Sequence, residues 1–340
     1  MPTLYSSYVD SLIESAPLKI GSNQIYPQSI KVGSYSVKGI YQGGSPILHP
    51  EAVYWLKRVY ANGGGMTAQT FFYVNQFCWT IDGAGLRDRF SRLNLFVGVN
   101  FYDSSSSIQR YALNAAVVPL YIGFDYDPEH NGDIGNAVDT NINFIESDFG
   151  SLGLDASNGS KGLLTGLNTY TSTGGVSPYY DSHLSVYITY ANDSYGGDVV
   201  FPIGSMTSPT YDTSSGYYIG LNDYGQFIHS AAFDDIGSYV YSIYTGNNEG
   251  VILASTNSIQ RSIYRNGIDT SDSNDDNGTN GTLNDIGIFG RYDASTNSLS
   301  PVDFSGTLGA YSIGKYMTDI QVSTFSSILL NFQSQIGRDV

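Results

Sequence analysis

The chain has a single cysteine, Cys78, among 340 residues, so no disulfide framework can brace the fold. Cys78 lies within an apolar helical pattern and reads as a small buried hydrophobe. Basic residues are scarce as well: 15 Lys plus Arg stand against 31 acids, for a formal net charge of −16. Nucleic-acid binding is driven by counterion release on a basic face, and this balance argues against such a partner. Glutamate is rare, with Glu14, Glu51, Glu129, Glu146 and Glu249 making up the whole set. No apolar run is long enough to cross a bilayer, and Met1-Pro-Thr-Leu-Tyr5 opens no signal-peptide pattern, so membrane insertion is not expected. A G-x-S-x-G elbow, a phosphate-binding Gly-rich loop ending in Lys-Ser/Thr and an H-E-x-x-H helix are all missing. His49, His130, His183 and His229 are dispersed. Each is expected to be structural, and the chain is not expected to be an enzyme.

What the chain has in quantity is tyrosine, 29 in all, with Gly, Ser, Thr and Asn between short apolar runs. That mixture suits a mainly β protein with a hydroxyl-rich surface. Strands are expected at 93–99, 115–121, 183–191, 217–221, 226–231, 239–244, 250–256, 258–265, 286–290 and 307–313. So many short strands between turn clusters argue for a two-sheet sandwich. Arg265-Asn-Gly-Ile268 is the sharpest local signal, because Asn-Gly accepts the positive φ angles of a type I′ hairpin.

Three stretches have helical periodicity. Pro50 fits a first helical position, followed by Val53, Leu56, Val59 and Tyr60, and Asn62-Gly-Gly-Gly65 stops the helix. Thr67 can cap a second helix along which Phe71, Val74, Cys78 and Ile81 share a face, giving an αα-hairpin. Lys57, Arg58, Arg87, Arg89 and Arg92 cluster here, as a solvated helix face or as a docking face for an acidic neighbour. Near the C-terminus, Thr318 and Gln321 fit a capping box, Met317 can staple onto Val322, and Val322, Phe325, Leu329, Phe332 and Ile336 form one stripe. Residues 18–48 hold an imperfect repeat, Lys19-Ile-Gly-Ser22, Lys31-Val-Gly-Ser34 and Tyr41-Gln-Gly-Gly-Ser45, expected to form three short strands in a meander.

The run Phe304-Ser-Gly-Thr-Leu-Gly-Ala-Tyr-Ser-Ile-Gly314, leading into the capped helix, resembles the closing strand of concanavalin A-like, laminin-G-like jelly rolls, and in particular of bacteriophage virion proteins. The stretches 137–149, 159–167 and 183–187 follow in the order seen in that family, and the repeat at 18–48 resembles its N-terminal anchoring modules. The resemblance implies three parts: an anchoring β-module at 1–48, a helical-hairpin connector at 49–92, and a concanavalin A-like sandwich with a C-terminal helix at 93–340. It implies a tail fibre or receptor-binding protein on the virion surface, assembled in the host cytoplasm, attached to other virion proteins through 1–48, homo-oligomeric as a trimer, and bound to host surface polysaccharide. A head-decoration or tail-structural protein without ligand, and a polysaccharide depolymerase, are the alternatives.

The residues themselves offer three kinds of chemistry. Tyr179, Tyr180, Tyr195, Tyr211, Tyr217, Tyr218 and Tyr224 lie in or beside expected loops, where rings could stack on sugars. Asp125, Asp127, Glu129 and Asp133 form one acidic loop and Asp272, Asn274 and Asp276 another, either of which could take Ca2+ as the sole cofactor; the second lacks the distal bidentate Glu of a calcium loop. Glu146-Ser-Asp148 would project two carboxylates to one face of a strand, as in the glucanases of this fold, but Ser151 stands where a third acid is needed. No catalytic set is therefore expected.

Overall fold

The computed structural model describes residues 48–103, 107–124, 138–157, 161–168, 181–191, 200–205, 216–221, 248–257, 260–271, 285–290 and 304–340 in full, and only the backbone of short strands elsewhere. In the N-terminal repeat the expected three strands are three two-stranded antiparallel hairpins. These are β1 (Leu18–Ile20) with β2 (Asn23–Ile25), β3 (Lys31–Val32) with β4 (Tyr35–Ser36), and β5 (Tyr41–Gln42) with β6 (Ser45–Pro46).

Helix α1 (Pro50–Ala61) starts at proline, and α2 (Ala68–Gly83) is capped by the Thr67 side chain, which accepts from the Thr70 amide. Residues 90–94 form strand β7 (Phe90–Asn94), and the hairpin β8 (Phe101–Asp103) and β9 (Ile108–Arg110) follows. Residues 115–121, expected as a strand, instead begin with the short helix α3 (Ala112–Ala116) and continue as an irregular segment.

Two sheets follow. The first runs β11 (Phe149–Gly150), β12 (Gly153–Asp155), β25 (Gly306–Gly314), β14 (Asp181–Ala191), β19 (Gly250–Asn257), β20 (Arg261–Arg265), β21 (Ile268–Asp269), with β7 also pairing β25. The second runs β10 (Thr140–Ile142), β13 (Gly162–Asn168), β22 (Asp285–Ile288), β15 (Val200–Met206), β16 (Gly216–Leu221), β17 (Phe227–Ser230), β18 (Tyr239–Tyr241), with β23 (Arg291–Asp293) on β15 and β24 (Ser298–Ser300) on β23. At the centre of the first sheet lies the order β12-β25-β14-β19, and of the second β13-β22-β15-β16. Along these eight strands the chain alternates between the sheets except at the β15–β16 hairpin, and the last strand returns beside the first. This is the winding of a jelly roll.

The first sheet is covered on both faces. Leu184, Val186, Ile188, Ile252, Ala254 and Leu308 point into the core between the sheets. Tyr187, Val251, Leu253 and Ala310 point the other way, into a second core shared with α1, α2 and α4 (Asp319–Gln335). Residues 49–92, expected as a connector, are therefore one wall of that second core: Trp55, Leu56, Val59, Phe71 and Val74 are buried in it. The layers are helices, sheet, sheet.

Helix α4 forms as its sequence predicts. Thr318 and Gln321 make the reciprocal capping box, and Met317, Val322, Phe325, Leu329 and Phe332 are buried. Phe332 meets Phe77 of α2 edge-on at 5.4 Å, and Phe325 meets Phe90 at 5.0 Å. Past its end, Arg338 is buried, and its guanidinium donates to the carbonyls of Ser151, Leu95, Gly309 and Phe96. Gly314 lets β7 pair closely, since a Cβ there would strike the Arg89 carbonyl. In the hairpin at 265–268, Asn266 and Gly267 have φ of 49° and 82°, as a type I′ turn requires, and Gly267 sits against Ser323 of α4. Phe325→Ala is expected to cost about 3 to 5 kcal/mol in chemical denaturation, the penalty for emptying a fully buried aromatic site.

Candidate functional site

The loop tyrosines and acidic loops named from the sequence divide sharply. Tyr179, Tyr180, Tyr195, Tyr211 and Tyr224, and Asp125, Asp127, Glu129, Asp133, Asp272, Asn274 and Asp276, lie outside the described residues. Tyr217 and Tyr218 do not offer ring faces to a ligand. They sit within β16, 0% and 4% exposed; the Tyr217 hydroxyl donates to the His183 carbonyl, and Tyr218 packs edge-on to Phe201 at 4.8 Å. Burial in the sandwich, not a loop position, explains their presence.

Glu146 and Asp148 are not on a strand but in a 3-10 turn, and each has a structural task. The Glu146 carboxylate accepts from the amides of Ala112 (3.0 Å) and Leu113 (3.3 Å), which open α3. Asp148 accepts from the Ile145 amide and pairs with Lys161 at 2.6 Å.

His49, Glu51 and Asp82 bring potential ligand atoms within 4.8 Å of one another. The hydrogen bonds argue against a metal there. His49 Nδ1 accepts from the Glu51 amide as the cap of α1, which places the ring proton on Nε2, facing Asp82 at 3.2 Å. A neutral imidazole has one lone pair, and the cap uses it. Glu51 is paired with Arg87 at 2.6 Å, and burial still pushes its carboxyl upward.

Two buried polar groups hold the sheets. Asp139 accepts from Tyr311 (2.6 Å) and Asn94 (3.0 Å) beside Arg92, and burial raises its pKa despite them. His183 Nδ1 must donate to the Lys315 carbonyl at 2.6 Å, so Nε2 accepts from Ser312 at 2.9 Å, whose oxygen in turn accepts from Ser185. Burial lowers the His183 pKa from 6.5 to about 4. Above pH 6.5 both folded and unfolded chains keep this ring neutral; between 6.5 and 4 only the unfolded chain takes up the proton, so stability falls with pH. The loss should reach about 3 kcal/mol across that window. Urea melts of the native chain and of His183→Gln across the same window test it, and the variant should lack this component.

The described surface holds a groove of about 430 Å3 between α2 and α4. Phe77, Phe332 and Ile328 are part of its lining, and the rings of Tyr73 and Trp79 line it as well. Gln76, Thr80, Asn331 and Gln335 add three carboxamides and a hydroxyl. Two matching helical stripes build it, Tyr73-Gln76-Thr80 and Ile328-Asn331-Gln335, each spaced by three and then four residues. Sequence reasoning followed the neighbouring apolar stripes and missed these; the available signal was a row flanking the core row on each helix, Tyr73-Gln76-Thr80 on one and Ile328-Asn331-Gln335 on the other.

No protein-family profile matches the chain. No curated protein matches it either. Among solved structures it is similar to the Trypanosoma rangeli sialidase in complex with 2,3-difluorosialic acid, at 11% identity over 53% of this chain and 27% of that one, with a TM-score of 0.35. It is also similar to the Ruminococcus gnavus IT-sialidase CBM40, at 8% identity over 48% of this chain and 92% of that one, with a TM-score of 0.35. A mutant of HCR/D matches at 11% identity over 71% and 52% of the two chains, with a TM-score of 0.41. The chain thus spans about a quarter of the sialidase's length. At these identities the likeness extends to no ligand.

Proposed function

We propose that this is a glycan-binding protein whose site is the α2–α4 groove. The observation that carries the reading is the lining itself: aromatic side chains beside carboxamides and a hydroxyl, in a space within the usual range of small-ligand sites. Sugar rings present apolar C–H faces that stack on aromatic rings, and their hydroxyls exchange hydrogen bonds with carboxamides. The groove has room for a mono- or disaccharide. No hydrolytic role is proposed, because Glu146 and Asp148 are engaged in capping and ion pairing.

The resemblance of the closing strand and of the 18–48 repeat to phage virion proteins supports a location on a virion surface, as a tail-fibre or receptor-binding protein anchored through 1–48. Many copies on one particle would raise a weak single-site affinity by avidity. A ligand-free head-decoration role is the second reading.

Tryptophan makes the test direct. The chain has two, Trp55 and Trp79. Trp55 is 1% exposed, with its indole N–H on the Val118 carbonyl, whereas Trp79 faces the groove. On a glycan array, Trp79→Ala and Asn331→Ala should each weaken binding about tenfold or more while circular dichroism shows the native fold retained; Trp79→Ala also loses the ring contact with His49, so Asn331→Ala is the variant expected to keep the native thermal midpoint. Glycan addition should change the fluorescence of the native chain and not of Trp79→Ala. Binding that is intact in both variants would remove the groove from consideration.

A further inference from the structure

We propose that the α2–α4 groove accepts uncharged sugars and turns away sialylated and uronic-acid glycans, an inference that rests on the glycan-binding reading above. The polar lining residues Gln76, Thr80, Asn331 and Gln335 carry no formal charge, and among the described residues no lysine, arginine or histidine lines the groove. A carboxylate entering it would lose hydration and gain only carboxamide and hydroxyl dipoles. Carboxylate recognition ordinarily draws on charged donors, above all the two-pronged arginine fork.

Helix direction adds to this. Of the lining residues, Thr80 lies in the last turn of α2, which ends at Gly83, and Phe332 and Gln335 lie in the last turn of α4, which ends at Gln335, so each helix brings its C-terminal turn to the groove. A helix C-terminus carries roughly half a negative charge. Neither last turn holds a basic side chain to offset it, and Asp82 stands in the last turn of α2. His49 packs edge-on to Trp79 at 4.5 Å, but it is itself paired with Asp82. The described cations of the helical layer are placed elsewhere: Arg58 donates to the carbonyls of Pro119 and Leu120, Arg87 to those of Gly123 and Phe124, Arg89 pairs with Asp88, and exposed Lys57 lies over the Tyr54 ring of its own helix and is not part of the groove lining. At longer range the net charge of −16 contributes the same sign. A neutral sugar meets none of this opposition, because its hydroxyls can donate to carboxamide oxygens. An anionic one meets all of it.

The test uses the full chain against matched probes: lactose, N-acetyllactosamine, cellobiose and chitobiose oligosaccharides alongside sialyllactose, hyaluronan fragments and polygalacturonate fragments, at low and at physiological salt. One or more neutral probes should bind, with each charged probe at least about tenfold weaker. Thr80→Lys, at an exposed rim position, should narrow that gap, most strongly at low salt. Charged probes bound as tightly as neutral ones, with both lost in Trp79→Ala, would overturn the charge selection and leave the groove as a glycan site. A gap unchanged by Thr80→Lys would place the discrimination outside the groove and overturn the proposal. No binding of any probe would overturn the glycan-binding reading and this inference with it, and binding intact in both Trp79→Ala and Asn331→Ala would place the glycan site outside the groove and overturn this inference.

Discussion

A sheet buried on both faces is the constraint on which the rest of the fold depends. Strands β14 and β25 carry one core on alternate residues and a second core, or a polar group that must find a partner, on the others. On the helix side the first sheet places Ser185, Ser255, Ser312 and His183, and each of these has a partner. Ser185, Ser312 and His183 form a chain ending on the Lys315 carbonyl, while Ser255 both donates to and accepts from the backbone of Met317, where α4 begins. A buried hydroxyl without a partner costs on the order of 1 to 3 kcal/mol, so these bonds also position α4. The groove inherits its shape from that placement.

The irregular stretch after α3 poses a related problem. Apart from a bridge to Leu93, it has no ladder, so its carbonyls need donors from elsewhere. Trp55 supplies one to Val118, Arg58 two to Pro119 and Leu120, and Arg87 two to Gly123 and Phe124, with Arg87 also stacked over Tyr121 at 4.2 Å. Arginine suits this task because its fork reaches several carbonyls at once and stays charged; burial lowers the Arg58 pKa only to about 10. Arg338 repeats the device at the C-terminus. The basic cluster of the helical region is therefore largely an internal cross-link between helices and loop, not a solvated face or a docking surface. Lys57 alone among its five members is exposed.

That distinction marks where the sequence stops being legible. Local backbone chemistry was readable: Pro50, Thr67 and the Thr318–Gln321 box start helices where expected, and Asn266-Gly267 makes the expected turn. The sandwich followed from strand density. Residues 115–121 misled because Val117, Val118, Leu120 and Tyr121 are β-prone, and only tertiary donors reveal why they need no sheet. Strand β15 was overlooked because Pro202 interrupts its pattern, and β13 because Gly162 and Gly166 weaken its own. Tyr217 and Tyr218 looked like loop aromatics, yet composition cannot tell an exposed ring from one filling a sandwich.

The groove was illegible for another reason: its two walls come from helices far apart in the sequence, and each wall alone is an ordinary polar helix face. Its position nevertheless has a physical logic. Loops that close around a sugar must first be ordered, and that ordering subtracts from affinity. Side chains on two helices already fixed by Phe77 against Phe332 and by Phe325 against Phe90 need little further ordering. On the proposed reading, a weak but rigid site repeated over many copies would gain more from avidity than a flexible one, because each copy would bear only a small entropic cost on engagement.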